Sequence, residues 1–141
     1  MIIKQLSIFL ENKSGRLTEV TETLASADIN ISAFSLAETA EYGVLRLIVN
    51  KPEEAEKVLK EKGFSVNLTD VIGLVVPHQP GGLHRALKIL SSEGISVEYM
   101  YAFALSDRAT VIIRTDAIQH TIAVLQQHKM ELLKTSDIYE I

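Results

Sequence analysis

The chain repeats itself. Advanced by 66 positions, Gly15 falls on Gly81, Leu17 on Leu83, Leu24 on Leu90, Ser26 on Ser92 and Ile29 on Ile95. Further along, Val58 falls on Val124, Leu59 on Leu125 and Thr69 on Thr135, with no gap anywhere, and Ile31 and Val97 match in kind. The shared positions are turns and apolar anchors, the residues that fix a backbone path. The 141 residues therefore read as two copies of one unit, 1–69 and 70–141, with almost no linker. Length alone would have suggested one domain.

Each copy has the order β-α-β-β-α-β. In the first, Ile3 to Leu10 reads as a strand, Asn12 to Gly15 as a turn, and Leu17, Val20 and Leu24 recur at helical spacing as an inward stripe. Asp28 to Asn30 ends that helix. Ile31 to Ala37 is a second strand, Glu41 to Gly43 a hairpin turn, and Val44 to Val49 a third strand rich in β-branched and leucine side chains. Pro52 suits the first turn of a helix with Ala55, Val58 and Leu59 inward and Gly63 at its end. Phe64, Val66 and Leu68 alternate along a last strand.

The second copy runs Val71 to Val76 as a strand, His78 to Gly82 as a turn, and Leu83, Ala86, Leu87 and Leu90 as an inward helical stripe ended by Gly94. Val97 to Leu105 and Ala109 to Thr115 form a hairpin around Ser106 to Arg108. Asp116 is expected to cap a helix carrying Ile118, Ile122 and Leu125, and Leu132 to Ile138 to close the sheet. Two helices on one face of a four-stranded antiparallel sheet make an α+β, ferredoxin-like unit.

A core of ~70 residues is marginal by itself, and open sheet edges are usually paired or covered. Two such units are expected to pack side by side. Val71 to Val76 is apolar on both strand faces, so its side away from the helices also needs cover. Together with Tyr99, Tyr101 and Phe103 it offers more apolar surface than two small helical layers protect, which predicts a homodimer.

Several functions are disfavoured by composition. The formal net charge is -4, so no basic field exists to hold a nucleic-acid backbone, and the third strands lack the stacking aromatics of an RNA-binding sheet. The chain has no cysteine, and none of its 4 histidines forms a metal-binding pair with a third ligand nearby. No nucleophile elbow, phosphate-binding glycine loop or dinucleotide fingerprint is present. The acidic run Glu53, Glu54, Glu56 and Glu61, with Lys57 and Lys60 interspersed, reads as a solvated helix face. No catalytic residue, metal or cofactor is expected. No apolar run approaches the ~20 residues of a membrane span, and the first residues carry no secretory signal pattern, so a cytoplasmic location is expected.

What remains is the loop after the first strand of each copy, Asn12–Lys13–Ser14–Gly15–Arg16–Leu17 and His78–Gln79–Pro80–Gly81–Gly82–Leu83. Each leads into a helix whose unpaired N–H groups and positive dipole end suit an anion such as an α-carboxylate. Asn12 can accept a hydrogen bond from an α-amino group, and Asn30 can donate or accept. The same residues also have a purely structural reading, in which the glycines make turns and the asparagines cap and end helices.

These loops, with Asp28–Ile29–Asn30–Ile31 and Gly94–Ile95–Ser96–Val97 after the helices, resemble the ACT domain, an amino-acid-sensing module of metabolic enzymes. The family pattern is a polar pair, then x-Pro-Gly-x-Leu, a helix, and Gly/Asp-x-Asn-Ile entering the second strand. The first copy fits with Ser14 in the proline's place; the second keeps Pro80, Gly81 and Leu83. The likeness covers essentially the whole chain. It implies a small free amino acid bound between one unit's first loop and the other unit's second strand. One such site would join Asn12, Ser14, Gly15, Arg16 and Leu17 to Ser96 and Val97. The other would join His78, Pro80, Gly81, Gly82 and Leu83 to Asn30 and Ile31. Ser96 and His78 replace family asparagines, and Leu10 and Val76 stand where serine-binding members have a histidine, so the resemblance does not imply serine. Any enzyme of amino-acid metabolism that it regulates is expected to be a separate chain; otherwise the protein is expected to act as a free sensor. The rival is a protein–protein interaction module of the same fold that takes no ligand.

Overall fold

The computed structural model describes residues 1–11, 13–38 and 41–139, with Leu105 by its backbone alone. The chain divides into two compact units: Lys4–Thr69 with Ser136–Ile141, and Met1–Ile3 with Asp70–Thr135.

The first unit takes β1 (Ile2–Glu11), α1 (Arg16–Ser26), β2 (Ile31–Glu38), β3 (Tyr42–Val49), α2 (Pro52–Glu61) and the beginning of β4 (Ser65–Pro77). Its strand order is β2-β3-β1-β4, and β3 runs antiparallel to both β1 and β2. Leu6, Ile8 and Leu10 alternate along β1 and share a face with Leu47, Leu45 and Val49 of β3. Val20 and Leu24 of α1 and Ala55 and Leu59 of α2 close over that face. Pro52 starts α2, where its missing N–H costs nothing.

The second unit takes the rest of β4, α3 (Gly82–Ser92), β5 (Val97–Leu105), β6 (Arg108–Thr115), α4 (Ile118–Gln127) and β7 (Glu131–Leu132). The antiparallel pairs β7·β4, β4·β6 and β6·β5 repeat the order of the first unit. Its core is built from Ile72, Leu74, Val76, Val111 and Ile113 under Ala86, Leu90, Val124 and Leu125. Both units are therefore ferredoxin-like, with helices on one face of an antiparallel sheet. Even an irregularity repeats: the register slips between Ile31 and Ala33 in one unit and between Val97 and Tyr99 in the other.

Four details depart from the sequence expectations. The strands read at Phe64 to Leu68 and Val71 to Val76 are one strand, β4, because strand hydrogen bonds use the backbone and polar Thr69 and Asp70 do not interrupt them. Tyr42 and Gly43 are not turn residues; they pair with Glu11 and Leu10 inside the sheet. Leu132 to Ile138 is not a strand. Only Glu131 and Leu132 pair, after which a short helix, α5 (Thr135–Tyr139), begins. Leu133 N–H donates to the Gly73 carbonyl at 2.7 Å, one step further along the β7·β4 register, and the missing side chain of Gly73 leaves room for Leu133 to come close there. Ile138 then enters the first unit with no exposed surface.

The fourth departure concerns the apolar surplus at Val71 to Val76, which the single chain already buries except for half-buried Val75. Val71 and Ile112, on the side away from the helices, have no exposed surface, and Leu133 and Ile3 reach Gly73 on that side. Tyr99, Tyr101 and Phe103 are half-buried, while Met100, Ala102 and Ala104 are exposed.

A Cβ at position 73 would stand 2.9 Å from Leu133 Cβ and 3.2 Å from Ile3 Cδ1. Gly73→Val is therefore expected to destabilise the protein by at least about 1–3 kcal/mol through overpacking. In a thermal melt the midpoint should fall by several degrees; an unchanged midpoint would show that Leu133 does not pack there.

Candidate functional site

The two loops adopt one backbone geometry. Gly15 precedes α1 with φ 91 and ψ -14, and Gly81 precedes α3 with φ 89 and ψ -11. Such left-handed values suit glycine and cost other residues about 1–2 kcal/mol. The turn that brings each strand into its helix thus places a residue without a side chain at the cap. Neither helix has a side-chain cap hydrogen bond. The helix start is held by the backbone instead: Arg16 N–H donates to Lys13 and Glu19 N–H to Gly15, and in the second loop Gly82 N–H donates to Gln79 and Arg85 N–H to Gly81. The first-turn N–H groups of Leu17 and Thr18, and of Leu83 and His84, are left without a capping side chain. The space where a Cβ of Gly15 or Gly81 would stand is open. Each loop therefore ends in an accessible helix N-terminus of positive potential.

The surroundings differ. At the first loop the cations already have partners: Lys13 Nζ lies 3.4 Å from Glu11, and Arg16 Nη1 lies 2.9 Å from Glu19. The Arg16 guanidinium also stacks 4.5 Å from the Phe64 ring centroid. Leu17 does not face inward as its periodicity suggests; it is 42% exposed and joins Leu10, Leu36, Glu11, Lys13, Arg16, Glu38 and Gly43 in lining a cleft of 160 Å³. Glu19 stands in the first turn of α1, whereas α3 has no acidic residue there and carries Arg85 at the corresponding position. The second helix end is the more attractive of the two for an anion. There His78 N–H is held by the Asp107 carbonyl at 2.7 Å, Pro80 is exposed, and Leu83 packs against the core. Gly82 is required for packing, because a Cβ would come within 2.2 Å of the Pro77 carbonyl oxygen.

Asn12 lies outside the described residues. Ser14 is exposed beside Gly15. Asn30 and Ile31 stand at the far end of the first unit from its loop, separated by the 11 residues of α1, a length of ~16 Å. Ser96 and Val97 are likewise removed from the loop of the second unit. The fold thus groups Ser14, Gly15, Arg16 and Leu17 at one point and His78, Pro80, Gly81, Gly82 and Leu83 at another, but within a unit it does not bring the second-strand residues to either.

The second-strand positions are fixed by a device that the sequence reading missed. Asn30 N–H donates to Asn50 Oδ1 at 3.0 Å, while Asn50 N–H donates back to the Asn30 carbonyl at 3.2 Å. In the second unit Ser96 N–H donates to Asp116 Oδ1 at 3.3 Å, and Asp116 N–H to the Ser96 carbonyl at 3.4 Å. Asp116 therefore does not cap α4. Its carboxylate is turned to the start of β5, and Ala117 N–H donates to Thr115 Oγ1 instead. Asn50 and Asp116 are related by the same offset of 66; a search for identical residues passes over them because one is an amide and the other an acid.

Among the described residues, no group of three His, Cys, Asp or Glu residues could hold a metal ion, and no helix is long and apolar enough to cross a membrane.

The family model described as the ACT domain pair matches residues 1–141. The crystal structure of protein BT0572 from Bacteroides thetaiotaomicron is similar over 100% of this chain and 98% of its own, at 52% identity and a TM-score of 0.97. The ligand-free regulatory subunit of aspartate kinase from Thermus thermophilus is similar over 88% of this chain and 90% of its own, at 17% identity and a TM-score of 0.64. The corresponding subunit from Thermus flavus gives 16% identity and a TM-score of 0.62 over the same shares. These last two likenesses are of fold. No curated protein matches the chain.

Asn50→Ala is expected to lower stability by about 0.5–1.5 kcal/mol, the net worth of the lost hydrogen bond, whereas Asn50→Asp, which copies the second unit, should cost less. Urea unfolding checks this: equal midpoints for the wild type and Asn50→Ala would remove the device.

Proposed function

The chain belongs to the ACT domain pair family, and from that we propose that it is a non-catalytic regulatory sensor that binds a small free amino acid. Its two domains are proposed to be 1–69 and 70–141, from which the compact units differ only at the chain ends, Met1–Ile3 grouping with the second and Ser136–Ile141 with the first. The protein is proposed to act in the cytoplasm as a homodimer, on a separate enzyme of amino-acid metabolism or as a free sensor. The observation that carries this reading is the glycine-capped helix N-terminus, present twice with the same dihedral angles and no side-chain cap. Such an end stabilises an anion in its first turn, and the α-carboxylate is the group that all free amino acids share. The ligand is proposed to lie between one unit's loop and the other unit's second strand. Ser14, Gly15, Arg16 and Leu17 would act with Ser96 and Val97, and His78, Pro80, Gly81, Gly82 and Leu83 with Asn30 and Ile31. Of the two, the loop of Gly81 is assigned the tighter site, because Arg85 replaces Glu19 beside it. The Thermus proteins are described as regulatory subunits of aspartate kinase, which supports a regulatory role.

A second reading has its own observation. Phe34 and Leu36, 68% and 47% exposed, project from β2 at the end of the first unit's strand order. An edge strand that exposes two large apolar side chains also suits a protein partner.

A thermal-shift panel of the common amino acids at millimolar concentration separates the two. A ligand held only by the folded state raises the midpoint, by about 2.7 kcal/mol of stability at a hundredfold excess over Kd. At least one amino acid should do so. Gly81→Asn, which tolerates the left-handed geometry but fills the open space above the helix end, should abolish most of the shift, and Gly15→Asn less of it. No shift with any amino acid, together with a protein partner retained equally by the double variant, would favour the interaction module.

A further inference from the structure

The repeat allows the two helix layers to be compared position by position, and they carry opposite charge. Between α1 and α2 lies a groove of 450 Å³. Its floor is Ala27, Val58 and Phe64, and Glu22 and Glu61 stand exposed on its rim. Glu19, paired with an Arg16 whose guanidinium lies over the Phe64 ring, extends the acidic side, and Lys62 also lines the groove. Among the described residues neither Glu22 nor Glu61 has an ion-pair partner. At the corresponding positions of the second unit, Glu19 becomes Arg85, Glu22 becomes Lys88, Glu61 becomes Gln127, and Thr23 becomes Ile89. Arg85 and Lys88 are exposed and likewise lack an ion-pair partner among the described residues. Ile89 and Ile122 are partly buried against the second core and keep some surface in solvent. Glu93, at the end of α3, is the acidic residue nearest in sequence to this face.

One helix pair thus presents an apolar-floored groove with an acidic rim, and the other an apolar ridge with basic flanks. We propose that the occupant of the α1/α2 groove is a second copy of this chain, whose α3 enters with Ile89 over the groove floor and Lys88 and Arg85 beside Glu22, Glu61 and Glu19. Opposite charge at a rim favours encounter and fixes orientation, while the apolar contact beneath supplies the area term. A two-fold axis repeats the junction twice; without closure the same contact adds further copies. The inference rests on the homodimer proposed above but not on its ligand.

Three forms of the full chain test it by sedimentation and light scattering at micromolar concentration: the wild type, Glu22→Lys with Glu61→Lys, and Arg85→Glu with Lys88→Glu. All the substituted residues are exposed, so circular dichroism should confirm folded variants. The wild type should associate, and the association should weaken in 1 M salt, where the screening length falls to about 3 Å. Each variant by itself should associate about tenfold or more weakly, moving toward the monomer mass of 15.6 kDa. An equimolar mixture of the two variants should recover association, because each acidic groove then meets a basic ridge or its reversed equivalent. A wild type that is monomeric throughout would overturn both the dimer and this surface. A dimer untouched by either double reversal would overturn this surface alone and leave the dimer to another face. Two weakened variants that do not rescue each other would also overturn the direct pairing. The amino-acid thermal shift, measured on the same variants, reports separately on the ligand.

Discussion

A strand that must turn back over its own sheet as a helix needs a backbone dihedral that ordinary side chains resist. The chain meets this need twice, at Gly15 and Gly81, with φ of 91 and 89. Everything downstream depends on that turn. It aims α1 and α3 across their sheets, so that Val20 with Leu24 and Ala86 with Leu90 reach the two cores. By removing the side chain from the capping position, it also leaves the first-turn N–H groups open. The residue that makes the fold possible is therefore also the one that leaves the helix end open.

With the backbone shared, divergence between the copies falls on side chains. Leu17 is exposed in a cleft while Leu83 packs against its core. Asn50 and Asp116 hold the starts of β2 and β5 by the same two hydrogen bonds, one accepted by the side-chain oxygen and one donated by the backbone N–H. Glu19 and Glu22 become Arg85 and Lys88 on the corresponding helix. One electrostatic change thus acts on two features. It makes the second helix N-terminus more attractive to an anion, and it makes the second helix layer the charge complement of the first.

Much of this was legible in the sequence because it depends on local chemistry. The offset of 66, the helical stripes, Pro52 at the start of α2 and both glycine turns follow from residue type and spacing. What was not legible depends on contacts distant in the chain. Thr69 and Asp70 look like a break, yet β4 continues through them because the ladder reads backbone and not side chains. Leu132 to Ile138 reads as a strand, but the pairing ends at Leu133, whose N–H meets the Gly73 carbonyl some sixty residues earlier, and a helix starts at Thr135. Asp116 has the right type and place for a cap, and is instead used by Ser96. For the candidate site, sequence supplied the loop residues. It could not supply Arg16 stacked on Phe64 or the length of helix that separates Asn30 from the loop in its own unit.

The central claim is that the exposed helix ends at the two glycine turns receive an amino acid's carboxylate. Amide-resolved NMR titration of the uniformly labelled protein with the amino acids that raise its melting temperature tests this most directly. The account predicts saturable shifts of the Leu83 and His84 amides, with smaller ones at Leu17 and Thr18, and none at either set when the ligand is replaced by its decarboxylated amine. Saturable shifts confined to residues remote from both helix ends, or equal shifts with the amine, would contradict it.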